Sequence, residues 1–285
     1  MWLAAMEMKI EKIINNNIVS SRDHQGNELI VMGRGLGFGK KPGQTVDEKK
    51  VEKIFRLDNE DSMERFKELL KRLPIDDLRL SDEIISYAKN ALGKELSANI
   101  YLTLTDHISF AMSRHKNEME FQNPLFEEIK IFYPNEYAVG CHAVYLIEKK
   151  TGIMLSEDEA ASIALHFVNA ELNSAIGKTF TLTQMIREMM DIVEEEIPAF
   201  REARNRDRLV INFKHLLYRM IAEDQVEGRE DKEFFSFIRE HCSKEYELIG
   251  RVDAHIQEKY QYSMNEEEKI YLTLNVKRIR DLYML

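Results

Sequence analysis

The apolar residues of this chain follow two different periods. From Lys9 to Leu57 they come in short runs broken by Asn, Gly and Asp, and beyond that they recur at helical spacing. The first run, KIEKIINNNIVSS over Lys9–Ser21, is rich in Ile and Val, and its Asn run disfavours a helix, so it predicts a strand. Asp23-His24-Gln25-Gly26-Asn27 is a turn cluster, and Glu28–Met32 predicts a second strand antiparallel to the first. Gly33-Arg34-Gly35-Leu36-Gly37-Phe38-Gly39 follows, then Lys40, Lys41, the turn pair Pro42-Gly43 and a last strand over Val51–Leu57. A sheet this small buries little, which predicts a partner, most simply a second copy of itself. An acidic link, Asp58 to Asp61, leads into a helix that ends before Pro74.

The helical remainder is one unit written twice. Glu136-Tyr137 recurs as Glu245-Tyr246, an offset of 109. At the same offset, without a gap, Ile147 meets Ile256, Lys150 meets Lys259, Glu157 meets Glu266, Glu159 meets Glu268 and Leu165 meets Leu274. Ser156-x-x-Glu159 and Asn265-x-x-Glu268 predict capping boxes that open the last helix of each unit. One polar residue interrupts the apolar stripe of each such helix. It is His166 among Ile163, Phe167 and Ala170, and Asn275 among Leu272, Val276 and Ile279. Upstream, His107 interrupts Leu104, Ile108 and Ala111, and at an offset of 105 Asn212 interrupts Leu209, Phe213 and Leu216. A lone histidine on an apolar stripe is ordinarily a satisfied core residue. Two at matched positions also suit phosphoryl chemistry. A neutral imidazole is a good nucleophile near neutral pH, and the roughly −1.5 to −2 charges that a phosphoryl group adds would re-dock helices packed through that stripe.

Composition narrows the field. The chain has 285 residues, 44% apolar, with 12 Gly and 5 Pro, which excludes collagen-like and long disordered architectures. A net charge of −10 argues against a surface coated with nucleic acid, though not against one local reading head. Met1–Asp58 holds 10 basic and 8 acidic residues, net +2, against −12 in the remainder, so the N-terminal fifth reads as a separate domain. Cys141 and Cys242 make no C-x-x-C spacing and read as reduced thiols of a cytoplasmic protein, with no metal site. No run is long enough to insert into a membrane. The apolar opening Met1–Met6 is too short for a signal peptide, and Met6 and Met8 are alternative starts. The glycine stretch fits neither the P-loop nor the dinucleotide spacing, and no catalytic motif is present. The expectation is a non-enzyme without cofactors.

Asn15 and Asn17 alternate, so a strand projects both from one face. Arg34 between glycines, Phe38 in a glycine setting and Lys40-Lys41 add a cation, an exposed aromatic and phosphate partners. That set suits splayed RNA bases. KIINNNIVSS followed by MGRGLGF resembles the co-antiterminator RNA-binding domain of BglG/SacY-type transcriptional antiterminators. LTDHISFAMSR around His107 and IALHFVNAEL around His166 resemble the PTS regulation domains of the same family.

The resemblance runs through the whole chain and implies a multidomain protein. A small antiparallel β RNA-binding domain, dimerising, spans residues 8–63, and two homologous all-α helical-bundle regulation domains span 72–177 and 178–285. It implies a hairpin in an mRNA leader as target, with Asn15, Asn17, Gly33, Arg34 and Phe38 as contacts and Gly35 supporting the turn. It also implies His107 and His166 as phosphorylation sites, used by a sugar-specific PTS enzyme II to silence antitermination. The family carries histidines where Asn212 and Asn275 stand, and there the phosphocarrier HPr activates. An amide nitrogen is no nucleophile, so these are degenerate phosphosites, and activation by HPr is lost or altered. His215, one helical turn from Asn212, is left as a substitute acceptor, whereas His241 and His255 fall at unmatched positions. The competing reading is a phosphocarrier that passes phosphoryl groups through His107 and His166, which leaves the Asn, Arg and Phe set without a role. A DNA-binding activator needs a helix-turn-helix, which the β-rich start does not offer.

Overall fold

The computed structural model describes residues 8–57, 59–119, 121–173, 176–222 and 232–283. The apolar opening Met1–Met6 and Asp58 of the acidic link lie outside the described residues. The chain starts with an antiparallel meander in the order β1 (Lys12–Asn15), β2 (Ile18–Arg22), β3 (Glu28–Met32) and β4 (Lys53–Phe55). The run read as one strand over Lys9–Ser21 is thus mostly a hairpin. Its Asn cluster makes the turn: the Asn15 side-chain oxygen accepts from the Asn17 backbone N–H at 2.8 Å, the local side-chain bond by which Asn diverts a strand. Asn17 therefore sits in the turn and not on a strand face with Asn15.

Alternation along the strands gives the sheet two different faces. Val19, Val31 and the loop residues Ile10, Leu36 and Val46 form one small core. Ile18, Ile30, Met32 and Phe55 point the other way, with Ile30 opposite Phe55 in the ladder, and join a much larger core. That core comes from the helices that follow. They are α1 (Glu60–Leu70), α2 (Ile75–Leu92), α3 (Ile100–Lys116), α4 (Phe126–Phe132), α5 (Pro134–Thr151) and α6 (Glu157–Glu171). Phe66 of α1 and Tyr101 of α3 both meet the Phe55 ring edge-on, at centroid distances of 5.5 and 5.0 Å. This face of the sheet is thus covered by helices of its own chain.

The chain divides into two compact units, Met1–Phe126 with Tyr133–Ile176, and Glu127–Phe132 with Gly177–Leu285. The second holds α7 (Ile176–Glu196), α8 (Ala203–Ala222), α9 (Lys232–His241), α10 (Ser243–Tyr260) and α11 (Glu266–Tyr283). It also claims most of α4, whose Phe132 carbonyl accepts from the Lys214 ammonium at 2.9 Å and whose Glu128 pairs with Arg187 at 3.5 Å. Residues 127–132, inside the span expected for the first helical unit, thus pack with the second. The internal repeat is visible in the backbone, since α5 and α10 end on left-handed residues at matched positions, Gly152 (φ 73°) and Gln261 (φ 59°). The predicted capping boxes diverge. Asn265 and Glu268 close theirs reciprocally, both bonds 2.9 Å. Ser156 makes no side-chain cap bond, and the Glu159 carboxylate faces His107 and Arg114 instead of the cap. No helix among the described residues is long and apolar enough to cross a membrane.

Candidate RNA-reading edge and histidine pair

The Asn turn and the glycine stretch, far apart in sequence, are laced together. Gly33 N–H donates to the Asn17 carbonyl at 2.9 Å, Gly37 N–H to the Asn16 carbonyl at 3.0 Å, and Gly35 N–H to the Asn17 side-chain oxygen at 2.9 Å. Such close approach explains the glycines. A Cβ on Gly33 would collide with the Lys50 carbonyl oxygen, and Gly35 has a φ of +69°. The result is one edge of the sheet where Asn17, Arg34 and Phe38 come together. Arg34 is exposed, and Phe38, at 72%, is the most exposed large apolar side chain among those described. Asn15 is different. Its amide N–H donates to the Leu70 carbonyl at the end of α1, at 2.9 Å, so both ends of the amide are engaged within the protein. The edge is also tied to α2, because Glu52 accepts from the Arg34 backbone N–H and from the Arg79 guanidinium. The Arg79 bonds hold the Glu52 carboxyl below its ordinary range.

The second assembly lies between α3 and α6. The His107 and His166 rings meet with centroids 4.7 Å apart, tilted by 44°. His107 Nε2 lies 3.2 Å from a carboxylate oxygen of Glu159, and Arg114 pairs with the other oxygen. Burial alone would raise the Glu159 carboxyl, but the His107 and Arg114 contacts outweigh it and the net shift is downward. Burial, with His107 alongside, holds the His166 imidazole well below its ordinary value, so it stays neutral. His107 keeps 16% of its side chain exposed, whereas His166 is buried. Sequence reading found the histidines but assigned Glu159 only to a cap and overlooked Arg114. The signal was available, since Arg114 and Glu159 recur as Arg219 and Glu268 at the repeat offsets.

Comparison with known proteins places both assemblies in one family. The model of the CAT RNA binding domain matches residues 8–64, and that of the PRD domain matches 82–170 and 183–279. The transcription antiterminator LicT of Bacillus subtilis is 40% identical over 274 residues, covering 95% of this chain and 99% of that protein. The beta-glucoside operon antiterminator of Dickeya chrysanthemi is 36% identical, covering 96% and 97%. The chain belongs to the BglG-type transcription antiterminators. The crystal structure of GlcT CAT-PRDI superposes on the antiterminator with a TM-score of 0.51 and 32% identity, over 57% of this chain and 98% of that one.

In the antiterminator's second helical unit the matched positions are organised otherwise. Asn212 accepts through its side-chain oxygen from the Tyr271 hydroxyl at 3.1 Å, and Asn275 donates to the Tyr271 carbonyl at 2.8 Å. His215 is exposed one turn away and shares a small cleft with Asn212, Arg219 and Tyr271. His255 is occupied elsewhere, 2.8 Å from Glu188. The His241 ring bonds to the Phe237 carbonyl at 2.9 Å.

Proposed function

We propose that this antiterminator reads a hairpin in an mRNA leader through residues 8–63, and that the histidine pair of residues 72–177 records sugar supply through a PTS enzyme II. Residues 178–285 form a second regulation domain that HPr no longer activates by phosphorylation. The observation that carries the reading is an exposed Phe38 beside Arg34 and Asn17 on an edge pinned by Asn16 and Asn17. Phe38 stacks on a base, Arg34 and the Asn17 amide N–H meet bases or phosphate, and the backbone at Gly33 and Gly35 permits close approach. Asn15 acts beside them by holding the turn.

His107 accepts the phosphoryl group first, because it is the more exposed of the pair. Glu159 beside Nε2 keeps the ring proton there and leaves the Nδ1 lone pair to attack phosphorus as the donor's bond to it breaks. The carboxylate stabilises the positive charge that attack leaves on the ring, much as a carboxylate orients a triad histidine. His166, held neutral, adds no competing charge. The new dianion then faces the same carboxylate, and the α3–α6 packing has to change. Tyr101, near the start of α3, passes that change to Phe55 of the sheet. The sheet face held by α1 and α3 is the face we assign to a second copy in the active dimer.

The test is full-chain binding to the leader hairpin. Phe38→Ala is expected to weaken it about 5- to 150-fold, the range of roughly 1–3 kcal/mol for one stacked base. Asn17→Ala weakens it as well, with the helices still folded. Binding that equals the wild type in both variants would place the reading edge elsewhere. Phosphoryl turnover from His107 onto a sugar would favour a phosphocarrier instead.

A further inference from the structure

The second helical unit carries amides where the first carries imidazoles, and the residues around the two amides differ as well. At the repeat offsets Thr103 becomes Arg208, Asp106 becomes Ile211 and Asn169 becomes Arg278, while Arg114 and Glu159 keep their counterparts Arg219 and Glu268. All three exchanges raise the local potential: one carboxylate is gone and two guanidiniums have arrived. In the fold the exchanged residues converge. Arg208, Ile211 and Asn212 of α8 and Asn275, Arg278 and Ile279 of α11 line one open cleft of about 330 Å³. Both arginines are exposed, and among the described residues neither has a carboxylate partner.

Two guanidiniums lining one cleft raise the potential between them and favour an anion there. The amides refine the ligand. The Tyr271 hydroxyl occupies the Asn212 side-chain oxygen, so the Asn212 amide N–H groups remain to donate. Asn275 spends an N–H on the Tyr271 carbonyl, so its side-chain oxygen remains to accept. Guanidiniums and an amide donor match phosphate oxygens. An acceptor does not, but it matches a hydroxyl. Ile211, 52% exposed, supplies an apolar wall for a carbon skeleton.

We propose that this cleft binds a hydroxylated phosphate monoester, of the sugar phosphate class, without any covalent step. A reversible ligand thereby takes the place of the covalent mark that a histidine would carry. The proposal stands on the second unit's own residues and does not depend on phosphorylation of His107.

The experiment titrates the full, unphosphorylated chain with glucose 6-phosphate, inorganic phosphate and glucose at constant ionic strength, followed by calorimetry. Glucose 6-phosphate is expected to bind saturably with one site per chain, inorganic phosphate at least threefold more weakly, and glucose not at all. Arg208→Gln and Arg278→Gln each weaken the ester at least tenfold, with thermal unfolding unchanged because both side chains are exposed. Arg65→Gln, an exposed arginine on α1, leaves binding as it was. Asn275→Ala brings the ester down to the affinity of inorganic phosphate. No saturable binding of either phosphate, or binding that survives both arginine substitutions, overturns the site. Inorganic phosphate binding as tightly as the ester overturns the hydroxylated class.

Discussion

The two helical units share a repeat, matched helix ends and an arginine–glutamate pair, yet the shared glutamate does different work in each. Glu159 abandons the N-terminus of α6 and sits against His107 and Arg114. Glu268 stays at the N-terminus of α11 and closes a cap with Asn265. A buried carboxylate goes to whichever group most needs a charge partner. The imidazole, which can carry positive charge, draws the carboxylate away from the helix end, and an amide that never ionises leaves it there. The difference between the units is therefore one of charge and not of scaffold.

That contrast can be broken outright. With a phosphorylated enzyme II as donor, the wild-type chain is expected to gain phosphohistidine, and the double variant His107→Ala with His166→Ala to gain none. Label retained on the double variant would mean that the second unit still accepts, through His215 or another residue. The next effect in size concerns the shared glutamate. Glu159→Gln should slow phosphoryl acceptance by tenfold or more, because the ring loses its charge partner, whereas Glu268→Gln should leave acceptance unchanged. Equal slowing in both variants, by phosphohistidine time course, would dissolve the distinction.

Acid separates the units further. The His166 imidazole is held below its unfolded value of about 6.5. As pH falls through that value the unfolded chain takes the proton first, and the folded one takes it only at its depressed pKa. Above pH of about 6.5 this group costs nothing, and below it stability drops by up to about 1.4 kcal/mol per pH unit until the folded ring protonates. Denaturant unfolding of wild type against His166→Asn should show the slope and its removal, and parallel curves would refute it. The smallest contrast lies at the caps. Asn265→Ala should cost about 1 kcal/mol, and Ser156→Ala no more than about 0.5 kcal/mol, since its hydroxyl makes no cap bond.

Much of this was legible in the residues themselves. Glu28–Met32 is a short run of β-favouring apolar residues after one Glu and is a strand at the expected bounds. The repeat offsets located both matched pairs, and the histidines of the first unit meet in space. The Asn run was only half understood. It was read for its dislike of helix and not for its turn, because the Asn15–Asn17 bond that makes the turn depends on a backbone shape that composition does not reveal. The same blindness affected Asn15, whose amide is taken up by a carbonyl 55 residues away.

Sequence by itself determined that a β-forming segment precedes a helical one, that the helical part is duplicated, and which positions exchange an imidazole for an amide. Those are local or periodic properties, set by side-chain propensity and spacing along one chain. Only the tertiary structure decided that α1 and α3 cover the sheet, that Glu159 serves a histidine while Glu268 serves a cap, and that two arginines meet two amides in one cleft. Each of these depends on which distant groups compete for the same charge or the same apolar face, and that competition is resolved by packing.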